Sequence, residues 1–289
     1  MFINYSQNGR IMVMLNFPDE VIYKMKKTLI SLRTALAVTL CVALVASVLR
    51  SVAFVTAFDR SIGYFDRGAV PTLLYIVIAL AVAGVAAFAF LHRRNVKELP
   101  CPTRDERSLL LSVVAGVVST VLAFAAVLDV LTFAGGASVL VLARGLAAAL
   151  AIPYFLLPAN RRVLPFGLAA HLYCLLVLIT EYFDRYVTMN SPVKVMQQFA
   201  LVAFMLYLAS EMYAALGTVR PLRTTAFGLL SVFFSITSGI SCIVAGIAGG
   251  ILTRDYLIGA IGSLALGLYT AACLNAATLH PHPDETENT

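Results

Sequence analysis

Eight stretches of about twenty apolar residues run through this chain, and a bilayer core needs about that length per spanning helix. They cover Leu29–Ala57, Val70–Leu91, Ser108–Phe133, Ala137–Leu157, Leu164–Tyr182, Met196–Leu216, Thr224–Gly246 and Tyr256–Thr278. Strands of a membrane barrel would be half as long and would alternate apolar with polar residues, which these do not. The expected fold is an all-α, eight-helix transmembrane bundle. Composition closes the other classes. Of 289 residues, 60% are hydrophobic and 12% charged, too apolar for a water-soluble globule and for a disordered chain.

The charges orient the spans. One set of alternate loops, with the N-terminal segment, holds fourteen basic residues: Arg10, Lys24, Lys26, Lys27, Arg33, Arg93, Arg94, Lys97, Arg104, Arg107, Arg161, Arg162, Arg220 and Arg223. The other set holds five, Arg60, Arg67, Arg185, Lys194 and Arg254. Positive loops stay in the cytosol, so both termini are expected there. The same asymmetry explains the net charge of +6 without nucleic acid as a partner; the partner that this composition requires is a lipid bilayer. Met25-Lys26-Lys27 before an apolar run is similar to the start of a signal peptide, but no small-residue cleavage site follows, so an uncleaved first helix is expected. The expected organisation is a cytosolic tail (1–28), a first four-helix unit (29–160), a second (161–278) and a disordered acidic tail (279–289).

Two such units are suggested by a repeat. Tyr64-Phe65-Asp66-Arg67 follows the first apolar stretch and Tyr182-Phe183-Asp184-Arg185 the fifth. Pro102-x-Arg104 with Leu110-Leu111-Ser112-Val113 matches Pro221-x-Arg223 with Leu229-Leu230-Ser231-Val232. Units of four helices insert in the same direction, as parallel repeats about an axis along the membrane normal, an arrangement that transporters use with a site between the halves.

Charges at bilayer depth cost at least about 2.5 kcal/mol each and need an account. Arg33 and Arg50 lie towards the ends of the first helix and are read as snorkelling. Asp129 and Arg144 stand at similar distances from the Gly135-Gly136 turn, so an ion pair between them is expected, structural or part of a pathway. His171 and Glu211 fall at similar depth on successive helices and are expected to pair, either as a lock or as a proton relay. Small residues recur every fourth position at Ser238, Cys242, Gly246 and Gly250, and at Gly259, Ser263, Gly267 and Ala271. This spacing favours close packing between the last two helices, with a homo-oligomer contact as the alternative.

The densest polar stretch outside the spans contains Glu181, Asp184, Arg185, Asn190 and Lys194, candidates for an external binding mouth. Within it Ser191 reads as a helix cap and Pro192 as a first helical residue. Tyr182-Phe183-Asp184, Met189-Asn190-Ser191-Pro192 and Lys194 resemble a segment of uncharacterised multi-pass membrane proteins of Gram-positive bacteria, across the fifth and sixth helices. The resemblance implies a bacterial plasma membrane and no activity.

Catalytic motifs are absent from the sequence: no phosphate loop, no dinucleotide fingerprint, no HExxH and no paired acids for an intramembrane hydrolase. The five cysteines form no CxxC pair, and neither a metal nor a cofactor is expected. These features leave small-solute transport as the leading expectation. The alternative is a non-catalytic sensor or assembly subunit acting through partner contacts.

Overall fold

The computed structural model describes residues 3–5, 11–13, 19–59, 62–93, 109–157, 161–183, 191–218, 220–249 and 254–279. Eight helices dominate it: α1 (Asp19–Thr56), α2 (Ala69–Leu91), α3 (Leu109–Ala134), α4 (Val139–Leu156), α5 (Leu164–Phe183), α6 (Pro192–Ala215), α7 (Pro221–Gly249) and α8 (Arg254–Leu279). All eight contain a segment long and apolar enough to cross a membrane. The chain is therefore a multi-pass α-helical membrane protein. Short antiparallel hairpins, β1 (Ile3–Tyr5) with β2 (Ile11–Val13) and β3 (Phe58–Asp59) with β4 (Tyr64–Phe65), are the remaining pairings among the described residues.

Helix ends follow local chemistry. The α3–α4 turn closes by a bond from the Ala137 amide to the Thr132 carbonyl, with Gly136 at φ +97°, a left-handed position that only glycine takes without strain. Ser191 caps α6 by accepting from the Val193 amide at 3.3 Å, and Pro192 follows at the first helical position. Helix α1 begins at Asp19 rather than at Leu29, since no Pro or Gly interrupts 19–28 and Glu20 and Lys24–Lys27 favour helix, while the apolar span itself starts at Leu32. The described residues of the expected tail of 1–28 are a pair of short strands (3–5 and 11–13) and then helix from Asp19; residues 280–289 lie outside the described residues.

Helix α7 is the centre of the bundle. It packs against α1, α2, α6 and α8, and 72% of its spanning window is buried, whereas α2 at the periphery reaches 11%. Its inward face is rich in hydroxyls: Ser231, Ser235, Thr237, Ser238 and Ser241 are all buried. Ser241 Oγ bonds back to the Thr237 carbonyl of its own helix at 2.6 Å, whereas Thr237 Oγ1 donates to the Ala43 carbonyl of α1 at 3.4 Å and Ser231 Oγ lies 3.4 Å from Thr270 Oγ1 of α8.

The two sequence halves interlock, since α1 packs on α7 and α3 on α8. Arg33 of α1 donates to Thr278 of α8, to its hydroxyl at 3.1 Å and its carbonyl at 3.0 Å, tying the first span to the last. This end of the bundle, where α1 enters and α8 leaves, is called the basic end below; the other is the far end. The first copy of Tyr-Phe-Asp-Arg lies in β4 and its following bend, whereas Tyr182 and Phe183 of the second are the last residues of α5.

Helices α7 and α8 pack as closely as their small residues suggest, but α7 makes the contact through Gly239 and Ser235, outside the expected ridge, while Gly267 of α8 belongs to its own. A Cβ on Gly239 would lie 2.7 Å from Leu264 Cβ, and one on Gly267 would lie 2.7 Å from Ser235 Cβ. Ser238 and Cys242 turn instead towards α1, and Gly259 towards α6.

Candidate functional site

The structure brings Asp129 and Arg144 together. Arg144 Nε donates to Asp129 Oδ2 at 2.8 Å and Nη2 to Oδ1 at 2.5 Å, a two-point contact, while Nη1 reaches Thr180 Oγ1 at 3.1 Å. Gly145 makes the approach feasible, since a Cβ there would lie 2.8 Å from Asp129 Cβ. Three helices, α3, α4 and α5, are thus clamped at one depth. A guanidinium held by a carboxylate in this way has little capacity to take another ligand.

The expected His171–Glu211 pair does not form. His171 Nε2 lies 3.0 Å from the Met205 carbonyl and Nδ1 3.2 Å from the Gly167 carbonyl, so the ring bridges the backbones of α5 and α6. Glu211 Oε1 accepts from the Tyr269 hydroxyl at 3.1 Å, across to α8. Neither the depth nor the rotation of the expected pair is met, since His171 reaches α6 at Met205, about 9 Å along the axis from Glu211. Met205 and Glu211 are six residues apart, which places them about 120° apart around α6 at 100° per residue.

The far end holds a group that the sequence reading placed wrongly. Arg50 does not snorkel; it is 1% exposed and points into the junction of α1, α6 and α7. Its Nη1 donates to Ser241 Oγ at 2.5 Å and lies 3.5 Å from the Ser238 carbonyl and 3.6 Å from Cys242 Sγ. Its Nη2 donates to the Pro192 carbonyl at 2.8 Å. The guanidinium carbon also sits 4.9 Å from the centre of the Phe54 ring, one helical turn on. Phe54 in turn packs on Phe58 and Phe65 of the hairpin, which closes an aromatic cover at this end. Among the described residues every hydrogen-bond partner of Arg50 is neutral.

Beside it, the first turn of α6 carries a second cation. Lys194 was expected in an external loop, but the Ser191 cap places it inside the helix, where it is 0% exposed. One turn further, Gln197 is buried, and its Nε2 lies where a Cβ on Gly259 would overlap it; Glu181, in the last turn of α5, approaches the same glycine. Gln197 Oε1 has no hydrogen-bond partner among the described residues, and a recess of about 20 Å³ beside it, with Tyr173 and Ser263, is large enough for one water. Asp184, Arg185 and Asn190 lie outside the described residues.

No group of three or more metal-ligating side chains occurs among the described residues, and Cys41, Cys174, Cys242 and Cys273 are free thiols. Compared with known proteins, the chain matches no family model, no curated protein and no solved structure.

The signals for Arg50 were in the sequence, though dispersed. A basic residue six positions before the end of a span needs oxygens at its depth, and α7 offers Ser238 and Ser241 there. Nothing local says that a segment about 190 residues away supplies them.

Proposed function

We propose that the protein is a carrier for a small anionic solute in a bacterial plasma membrane, with both termini in the cytosol and Arg50 as the group that meets the anion. One contrast supports this reading. Arg144 is neutralised by a carboxylate, whereas Arg50 is more deeply buried and is held by neutral oxygens and a ring. A hydrogen bond between a charged and a neutral group is weaker than one between two ions. The bonds from Arg50 to Pro192 and Ser241 are therefore exchangeable for those of an anionic ligand, in a way that the Arg144 bonds are not. A buried cation held by neutral groups among the described residues is costly to maintain, which favours a functional reason for keeping it. Gln197 on α6 supplies an amide at the same end. Access requires the Arg50–Pro192 contact between α1 and the start of α6 to part.

The test is reconstitution into vesicles and a screen of small inorganic and organic anions for uptake and for thermal stabilisation. The expected result is an anion whose uptake is lost in Arg50→Gln, which keeps a donor for the Pro192 carbonyl but not the charge, and in Arg50→Ala. Undiminished uptake in a folded Arg50→Gln protein would overturn the assignment of Arg50.

A second reading, a non-catalytic sensor or assembly subunit, is favoured by a different observation. The two recesses described here, the small one beside Gln197 and an apolar groove against α2, do not form a polar passage between the ends. If no anion in the screen is taken up or stabilises the protein, that reading replaces the first.

A further inference from the structure

A groove of about 780 Å³ runs along the periphery of the bundle, independent of the Arg50 site. Its walls are Thr34–Val45 of α1 and Val77–His92 of α2, and its floor is Leu229 and Phe233 of α7. The β3–β4 hairpin holds α1 and α2 together at the far end, and the groove occupies their other half, towards the basic end. From Thr34 to Val45 the wall is about 16 Å long at 1.5 Å per residue, close to one leaflet of a hydrocarbon core of about 30 Å.

The lining changes character along its length. It is apolar over most of its extent, and Thr34 and His92 stand at the basic end. His92 is held there by its Nδ1 contact to the Phe88 carbonyl at 3.0 Å and by stacking on the Phe88 ring. Immediately beyond that lip come Arg93 and Arg33, both exposed, Arg33 with Nε and Nη2 bonded to Thr278 of α8, and the sequence of the start of α1 adds Lys24, Lys26 and Lys27. An apolar slot one leaflet deep that ends in a basic rim is complementary to one molecule of opposite charge pattern.

We propose that this groove is a binding site for an anionic phospholipid, with an acyl chain between α1 and α2 and the phosphate headgroup at the Arg33–Arg93 rim. Any lipid-facing surface meets acyl chains, so the chain alone gives no preference. The discrimination comes from the rim, where each basic residue near the surface favours an anionic headgroup. The depth of the slot depends on Gly84, where an added Cβ meets nothing within 4 Å. A larger side chain there fills the groove without colliding with the protein.

The chain contains no tryptophan, so a single Phe88→Trp substitution places one indole in the groove. The full-length protein is reconstituted in mixtures of brominated and unbrominated phosphatidylglycerol and phosphatidylcholine, and quenching is read for each. A control carries Leu131→Trp on the outward face of α3, where the native side chain is 63% exposed. The expected result is at least about a tenfold preference for phosphatidylglycerol at Phe88→Trp, weakening at high salt, and little preference at Leu131→Trp. Adding Gly84→Leu should abolish the preference by removing the lipid, and adding Arg33→Gln with Arg93→Gln should abolish it while quenching by both lipids persists. Equal quenching by the two lipids at Phe88→Trp would overturn the proposal. So would protection of that indole from both, which is the result of a second copy of the chain seated in the groove, or a preference that Gly84→Leu leaves intact.

Discussion

Replacing Asp129 by alanine takes away the carboxylate that accepts two bonds from Arg144, at 2.8 and 2.5 Å, and leaves the guanidinium with Thr180. Removing one partner of a buried ion pair costs about 3–5 kcal/mol, mostly the price of the charge left behind. The Arg144 side chain is 24% exposed at the edge of the bundle, and Thr180 keeps one of its bonds, so the lower end, about 3 kcal/mol, is expected for Asp129→Ala. The reverse change should cost less, about 1–2 kcal/mol, because a carboxylic acid can shed its charge by taking up a proton and a guanidinium cannot. In the double variant neither charge remains and only packing is lost. It should be more stable than Asp129→Ala alone, with a coupling of about 2 kcal/mol. The assay is reversible unfolding of the reconstituted protein in a denaturing detergent, followed by circular dichroism, for the wild type and the three variants. A double variant as unstable as the two single changes added together would refute the argument. So would an Arg144→Ala variant that loses more than Asp129→Ala.

Other expectations follow from the same packing. Gly145→Ala should destabilise by about 1–3 kcal/mol in that assay, because the new methyl meets Asp129 Cβ at 2.8 Å and the Ala126 carbonyl at 3.1 Å, whereas Gly116→Ala, with nothing within 4 Å, should be neutral or stabilising. Gly259→Ala should displace Gln197, read as a lowered unfolding temperature that Gly259→Ala in a Gln197→Ala background recovers in part. Ser191→Ala removes the side-chain acceptor for the Val193 amide and should cost about 1 kcal/mol in the unfolding assay. A reporter fused after Pro281 should be found in the cytosol, as an even number of spans and the basic loops require.

The helices were legible because a bilayer demands long apolar runs, and their ends because Ser191-Pro192 and Gly135-Gly136 have specific backbone roles. The Asp129–Arg144 contact was legible for a related reason: a tight hairpin fixes the relative depth of residues on either side of it. His171 and Glu211 show the limit of that reasoning. No tight turn like Gly135-Gly136 fixes the register of α5 on α6 in the sequence, so His171 meets Met205, about 9 Å along α6 from Glu211, and Tyr269 of α8 faces Glu211 instead. Lys194 was misplaced because hydropathy starts the sixth span at Met196 while the cap starts the helix at Pro192; the cap was the better guide. Arg50 was misread because its acceptors come from α6 and α7, far along the chain, and the sequence near Arg50 offers only the bilayer surface as an escape for its charge.

The separation between Arg50 and its partners also matters while the protein is being made. Ser241 follows Arg50 by 191 residues, and the Arg33–Thr278 contact spans 245. At a synthesis rate of about 5–20 residues per second, the first span waits some 10–40 seconds in the membrane before α7 emerges. Through that interval its arginine has neither Ser241 nor the groove floor of α7 beside it. Until α6 and α7 are made, the first helix holds Arg50 without the oxygens that receive it in the finished bundle. A ribosome that stalls before Pro221 leaves behind a fragment that cannot shelter its own charge.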